Sequence, residues 1–151
     1  NDITMLVILP AEGTTISDLD KTLNQQKYQA ITRELYNDEV SLMLPKFKSE
    51  ASLTLSNTLK EMGMPIAFTD DADFTGISNR NDLKITDVFH KAFIEVSEEG
   101  TEAAAATAVV VGVKSMPMTR TFKANRPFIY IIRDTKTGTP LFIGRLMNPN
   151  R

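Results

Sequence analysis

Residues Glu98-Glu-Gly-Thr-Glu-Ala-Ala-Ala-Ala-Thr107 form the stretch whose reading decides the fold. Four consecutive alanines favour a helix, and a plain surface helix or a flexible linker would share that run. Val109, Val110 and Val111 follow, however, and β-branched residues prefer a pleated strand. Gly100 supplies a hinge at the start, and the small side chains behind it can slide into a crowded sheet. The stretch also lies between two strand-like blocks, Leu83–Val96 and Phe122–Ile132, with no polar helix face between them. Its composition is that of a segment built to move from one conformation to another.

The blocks on either side carry their own signals. Asn125-Arg126-Pro127 interrupts the second block, because proline lacks an amide donor and restrains the residue before it. Phe128 to Ile132 is then a continuous apolar run, as in a strand buried on both faces. Thr137-Gly-Thr-Pro-Leu-Phe-Ile-Gly-Arg-Leu-Met-Asn-Pro149 has the form of a hairpin followed by a last strand, and Asn1-Asp-Ile-Thr-Met-Leu-Val-Ile-Leu-Pro10 opens with a buried-type strand.

In this order, Glu98–Thr107, Phe122–Ile132 and Thr137–Pro149 resemble the hinge, the signature and the closing strands of the serpin superfamily. The resemblance implies an α+β fold of several sheets with helices. It covers essentially the whole chain but only the C-terminal portion of the family. Residues 1–151 are therefore expected to be the C-terminal part of a single serpin domain, with a reactive loop at about 98–121 and the helical N-terminal part absent. The first strand would belong to the family's second sheet.

Composition limits the other possibilities. The chain has 151 residues, 42% of them hydrophobic, with a net charge of −2, enough to bury one core and offering no basic surface for nucleic acid. It contains no apolar run of membrane length. Zero cysteines remove any need for a disulfide, a single histidine precludes a histidine-based metal cluster, and no glycine-rich phosphate loop is present. No cofactor and no metal are expected. An unrelated α+β enzyme would have to assemble a site from these residues.

Residues 15–77 read locally. Thr15-Ile-Ser-Asp-Leu-Asp-Lys-Thr-Leu23 opens with N-cap candidates and spaces Ile16, Leu19 and Leu23 along one helical face, and Tyr28–Tyr36 supplies a second short helix. Val40–Leu55 is strand-like, interrupted at Pro45 and alternating from Phe47. Asn57–Met62 makes a helical turn ended by Gly63 and Pro65. Ala72–Ile77 resembles the loop helix before the fifth strand of the serpin main sheet.

Candidate functional residues separate into those with and without chemical support. Asp70, Asp71 and Asp73 lack the ligand alternation, central glycine and terminal glutamate of a calcium loop, and read as a solvated turn. Glu98 and Glu99, as adjacent strand residues, would point to opposite faces and cannot share a proton. His90 among apolar strand residues reads as a hydrogen-bonded core or boundary residue; the family resemblance implies that it belongs to the shutter beneath the main sheet. The resemblance also implies a breach pair, Lys46 with Glu98, that controls loop insertion.

The same resemblance puts the hinge at Glu98, Glu99, Gly100, Thr101, Glu102, Ala103, Ala104, Ala105, Ala106 and Thr107, and the reactive bond between Lys114 and Ser115. A cationic Lys114 fits the acidic S1 pocket of trypsin-like serine proteases, and Ser115 is small enough not to obstruct attack. Val109, Val110, Val111 and Val113 form an additional cleavage region for elastase-like enzymes. On insertion as a strand, the inward positions would be Thr101, Ala103, Ala105, Thr107, Val109, Val111 and Val113, none charged or large, while Glu102 would face outward.

The expectation is therefore a suicide-substrate inhibitor and not an enzyme: a serine protease cleaves the loop, and insertion into the main sheet traps the acyl-enzyme. The alternative is a non-inhibitory serpin acting as carrier or chaperone, whose hinge would usually carry bulky, charged or proline residues. The expected partners are the target proteases and the N-terminal part of the same serpin. The loop composition resembles bacterial inhibitory serpins of the miropin type, which implies an extracellular or bacterial cell-surface location.

Overall fold

The computed structural model describes residues 2–80, 82–98 and 119–149. It forms two compact units, Asn1–Phe47 with Val96–Arg151, and Lys48–Glu95.

The first unit is built around a three-stranded antiparallel sheet. Strand β1 (Ile3–Ile8) pairs with β6 (Phe128–Asp134), which pairs in turn with β7 (Pro140–Leu146), so β6 is central. The central position explains why its sequence is apolar without alternation. Ile129 and Ile131 face helices α1 (Ile16–Thr22) and α2 (Gln25–Arg33), where they join Leu6, Ile16, Leu19, Leu23, Tyr28 and Ile31 in one core. Phe128 and Tyr130 pack with Phe47, at ring-centroid distances of 5.9 Å and 5.2 Å. All four of these β6 residues are almost completely buried, as the sequence pattern predicts. Each contributes about 1.5–3 kcal/mol relative to exposure.

Helix α1 starts where its capping sequence predicts. Thr15 accepts from the Asp18 amide at 3.2 Å, and the Asp18 carboxylate accepts from the Thr15 amide at 3.0 Å, a reciprocal capping box. Helix α2 runs from Gln25 to Arg33, earlier at both ends than the expected Tyr28–Tyr36, because the Asn24 side chain caps it by accepting from Lys27 at 2.9 Å. Tyr28 faces the core, and its hydroxyl donates to the Gly138 carbonyl at 2.8 Å, tying α2 to the β6–β7 hairpin. Gly138 has φ 73°, a left-handed turn conformation suited to glycine.

A second sheet in this unit pairs β2 (Val40–Met43) with β5 (Arg120–Lys123) in parallel, from Val40 opposite Arg120 to Met43 opposite Lys123. The expected Phe122–Ile132 block is thus two strands. The chain leaves β5 through Ala124–Pro127, where Arg126 donates to the Pro10 carbonyl at 3.0 Å, and enters β6 at Phe128.

The second unit contains most of β3 (Phe47–Thr54) and β4 (Phe89–Val96), which pair as a two-stranded sheet, with helix α3 (Ser56–Glu61) and a 3₁₀ turn at Ile66–Phe68. Lys48 pairs with Glu95 at 2.9 Å and Glu50 with Lys91 at 3.9 Å, a descending order that marks the two strands as antiparallel. The expected strand Leu83–Val96 begins only at Phe89. Upstream, the Ile85 amide donates to the Ala67 carbonyl, so this backbone is tied to the 3₁₀ turn. Ala72–Ile77 is a turn, not a helix: the Ile77 and Ser78 amides both donate to Phe74 O, and Asp73 accepts from the Thr75 amide.

Candidate functional site

Of the sequence-derived site residues, Lys46, His90 and Glu98 fall among the described residues. Glu99, Gly100, Thr101, Glu102, Ala103 to Ala106, Thr107, Val109 to Val111, Val113, Lys114 and Ser115 lie outside them. The geometry available is that of the two roots of this segment and of strand β4 leading into it.

At the proximal root, Lys46 Nζ lies 3.0 Å from Glu98 Oε2. Lys46 follows Pro45 just ahead of β3, and Glu98 is two residues beyond the end of β4. The side chains are 64% and 82% exposed, so water screens the attraction and the pair contributes at most about 1 kcal/mol. Such a contact orients more than it stabilises, and a small force can break it.

His90 sits in β4 and is exposed, and its imidazole makes no hydrogen bond to another described residue. This differs from the hydrogen-bonded core or boundary environment expected from its apolar neighbours. The cause is that β4 pairs only with β3 among the described residues, leaving Phe89 and Phe93 exposed as well.

At the distal root, Arg120 is the first residue of β5. Its Nη1 donates to the Tyr36 hydroxyl, and its Nε lies 3.8 Å from Asp38 Oδ2. Sequence reasoning did not single out these three residues. The lone arginine three positions after the Lys-Ser-Met-Pro run carried no motif, and Tyr36 and Asp38 are 84 and 82 positions away, since 120 − 36 = 84 and 120 − 38 = 82.

The acidic turn is held by ordinary surface contacts. Lys84 bonds Asp70 at 2.6 Å and holds its carboxyl below the usual value, and the hydroxyl and amide of Thr75 do the same for Asp73. No group of acids, histidines or cysteines suited to a metal ion occurs among the described residues, and no described helix is long and apolar enough to cross a membrane.

With the central β6, its flanking strands and the two roots in place, comparison with known sequences decides the family. The sequence model of the serpin family, described as serine protease inhibitors, matches residues 1–149. The chain belongs to the serpin family. It is 47% identical over 149 residues to an uncharacterized serpin-like protein of Thermococcus kodakarensis, covering 96% of this chain and 34% of that protein. Among solved structures, the thermophilic serpin tengpin in its native state matches with a TM-score of 0.74 and 38% identity, covering 98% of this chain and 39% of that one. Thyroxine-binding globulin in complex with thyroxine matches with a TM-score of 0.76 and 30% identity, covering 99% and 39%. This serpin chain therefore spans between a third and two fifths of the length of the relatives it matches. Its α+β architecture of separate sheets and helices is part of the serpin fold.

Proposed function

We propose that this serpin chain carries the reactive segment of an inhibitor that acts as a suicide substrate for serine proteases. The observation that carries the reading is the pattern after Glu98: from Thr101 to Val113 every alternate position on one face is small or β-branched and uncharged, while Glu102 falls on the other. A strand with that pattern can be buried without desolvating a charge.

In the proposed reaction the protease serine attacks the Lys114 carbonyl carbon. The bond to the Ser115 nitrogen breaks, the protease histidine passes the proton to that leaving amine, and an ester joins Lys114 to the enzyme. Cleavage frees one end of the segment, which pairs with an open sheet as an added strand. The fourteen residues from Thr101 to Lys114 extend on the order of 45 Å as a strand, carrying the tethered enzyme with them. Distortion of the enzyme's active site then stops hydrolysis of the ester. Lys114 directs the inhibitor to trypsin-like enzymes, and Val109–Val113 to elastase-like ones. Lys46 and Glu98 hold the proximal root in register until insertion, and His90 belongs to the region where the sheet parts.

Mixing the complete protein with trypsin and separating the products in SDS tests this. A covalent serpin–protease band is the expected result; cleavage after Lys114 with full recovery of free protease would overturn it.

A carrier function is the second reading. It is favoured by the likeness to thyroxine-binding globulin and by a cleft of about 600 Å³ between α2 and the β6–β7 hairpin, where Tyr28, Arg33 and Thr139 surround Ile131. In that case the same mixture would contain only cleaved or untouched protein.

A further inference from the structure

Ser56 carries a buried hydroxyl, 6% exposed, at the junction where β3 gives way to α3. A buried polar group is expected to be bonded, and this one has two partners. Its Oγ accepts from the Val88 amide at 3.0 Å and donates to Asp87 Oδ1 at 3.2 Å. Both partners stand just before β4, 31 and 32 positions along the chain, since 87 − 56 = 31 and 88 − 56 = 32.

The reason lies in the carbonyl of Leu55. The Leu55 amide donates to Val88 O at 2.8 Å, so these two residues face each other as a hydrogen-bonded antiparallel pair, in which the Val88 amide would ordinarily donate back to Leu55 O. That carbonyl is already taken: it accepts from the Leu59 amide at 2.9 Å and starts α3. The Ser56 hydroxyl stands in for it. A hydroxyl has one proton and two lone pairs, and giving the proton to Asp87 leaves a lone pair for Val88. The chain thus changes from strand to helix at Leu55 without losing its last rung to β4.

That rung sets the register of the whole pairing. Leu55 opposite Val88 places Lys48 opposite Glu95, since 55 − 48 = 7 and 95 − 88 = 7, and those side chains do meet, at 2.9 Å. A slip of one residue would turn the half-buried Ala92, Ile94 and Val96 to the other face, and a slip of two would break the Lys48–Glu95 pair. The ion pair is exposed and holds weakly, which leaves the buried hydroxyl as the stronger pin. From this rung β4 runs on toward Glu98, the last described residue before the proposed reactive segment. We infer that Ser56, oriented by Asp87, is a positioning residue that fixes the register of β4 on β3 and so the point where the chain passes from strand into that segment. The consequence for inhibition rests on the inhibitory reading above; the register itself does not.

The test uses the complete protein and the variants Ser56→Ala, Ser56→Thr, Asp87→Ala and the double mutant Ser56→Ala with Asp87→Ala. In Ser56→Ala the Val88 amide loses its acceptor, and its hydrogen exchange should speed up roughly five- to tenfold, with the β4 amides following to a lesser degree and β6 unchanged. The covalent complex with trypsin should form in lower yield, with more protease recovered active, because a segment whose starting point is not fixed is trapped less often before the ester is hydrolysed. Ser56→Thr keeps the hydroxyl and should restore both exchange and yield. Asp87→Ala should act in the same direction as Ser56→Ala but less strongly, and the double mutant should add little to Ser56→Ala. Unchanged exchange at Val88 overturns the inference, and so does faster exchange with an unchanged complex yield, which would make Ser56 a stabilising residue alone. If the wild-type protein forms no covalent complex, the inhibitory reading itself fails, and exchange at Val88 and along β4 then decides whether Ser56 sets the register. If Ser56→Ala does not fold, Asp87→Ala carries both measurements.

Discussion

Tyr130 of β6 lies directly opposite Gly144 of β7, and the Tyr130 ring with its hydroxyl fills the space that a side chain at Gly144 would need. Tyr130 is buried and also packs on Phe47, so it has no free direction in which to retreat. The glycine is therefore a packing requirement of the central strand.

Gly144→Ala is expected to destabilise the protein. The substitution normally gains a few tenths of a kcal/mol to about 1 kcal/mol in chain entropy, but overpacking costs about 1–3 kcal/mol and wins here. A lower urea midpoint at unchanged slope would report it, and Tyr130→Leu in the same molecule should restore part of the loss. A Gly144→Ala protein as stable as wild type would contradict the packing described.

Lys114→Ala is expected to weaken inhibition of trypsin strongly, because the charge complementary to the acidic S1 pocket is lost. Cleavage by an elastase-like enzyme at Val109–Val113 should be nearly unaffected. Association rates measured with the two enzymes check this, and equal trypsin rates for variant and wild type would displace the reactive bond from Lys114–Ser115.

Thr101→Arg places a cation at the first inward position of the proposed inserting strand, where it would have to be buried without a partner. The side chain lies thirteen positions before Lys114, since 114 − 101 = 13, so docking of the protease should be normal. Insertion should become slower than hydrolysis of the ester, and the variant should be consumed as a substrate. An unchanged stoichiometry of inhibition would remove the hinge assignment.

The Thr15–Asp18 capping box predicts a pH dependence. Hydrogen bonds from the Thr15 side chain and amide lower the Asp18 pKa from its ordinary 3.8. A depressed folded-state value contributes stability above the unfolded pKa, and that contribution disappears as pH falls through the folded value. The urea midpoint of Asp18→Ala should therefore lie below wild type at neutral pH, and the gap should close below about pH 3.8. A gap that persists unchanged to the lowest pH would remove the charged cap as its cause.

The central strand Phe128–Ile132, the chain break at Asn125–Pro127, the start of α1 and the serpin membership were legible in the sequence. Each depends on local chemistry: an unbroken apolar run, a missing proline donor, a capping pair three residues apart, and a family motif. The proposed reactive segment is read from the residues alone, since hinge flexibility and alternating side-chain size are properties of the residues themselves. Which partner each strand takes is not such a property. Leu83–Val88 reads as a continuation of β4, yet the Ile85 amide goes to Ala67 and the Val88 amide to the buried Ser56 hydroxyl, partners 18 and 32 positions earlier, since 85 − 67 = 18 and 88 − 56 = 32. Phe47 reads as one more alternating apolar residue of β3, and only the packed structure sets it against Phe128 and Tyr130. Arg120 with Tyr36 and Asp38 is the clearest case. No local pattern marks the three residues, because an ion pair requires only that opposite charges meet in space, and the parallel pairing of β2 with β5 is what brings them together.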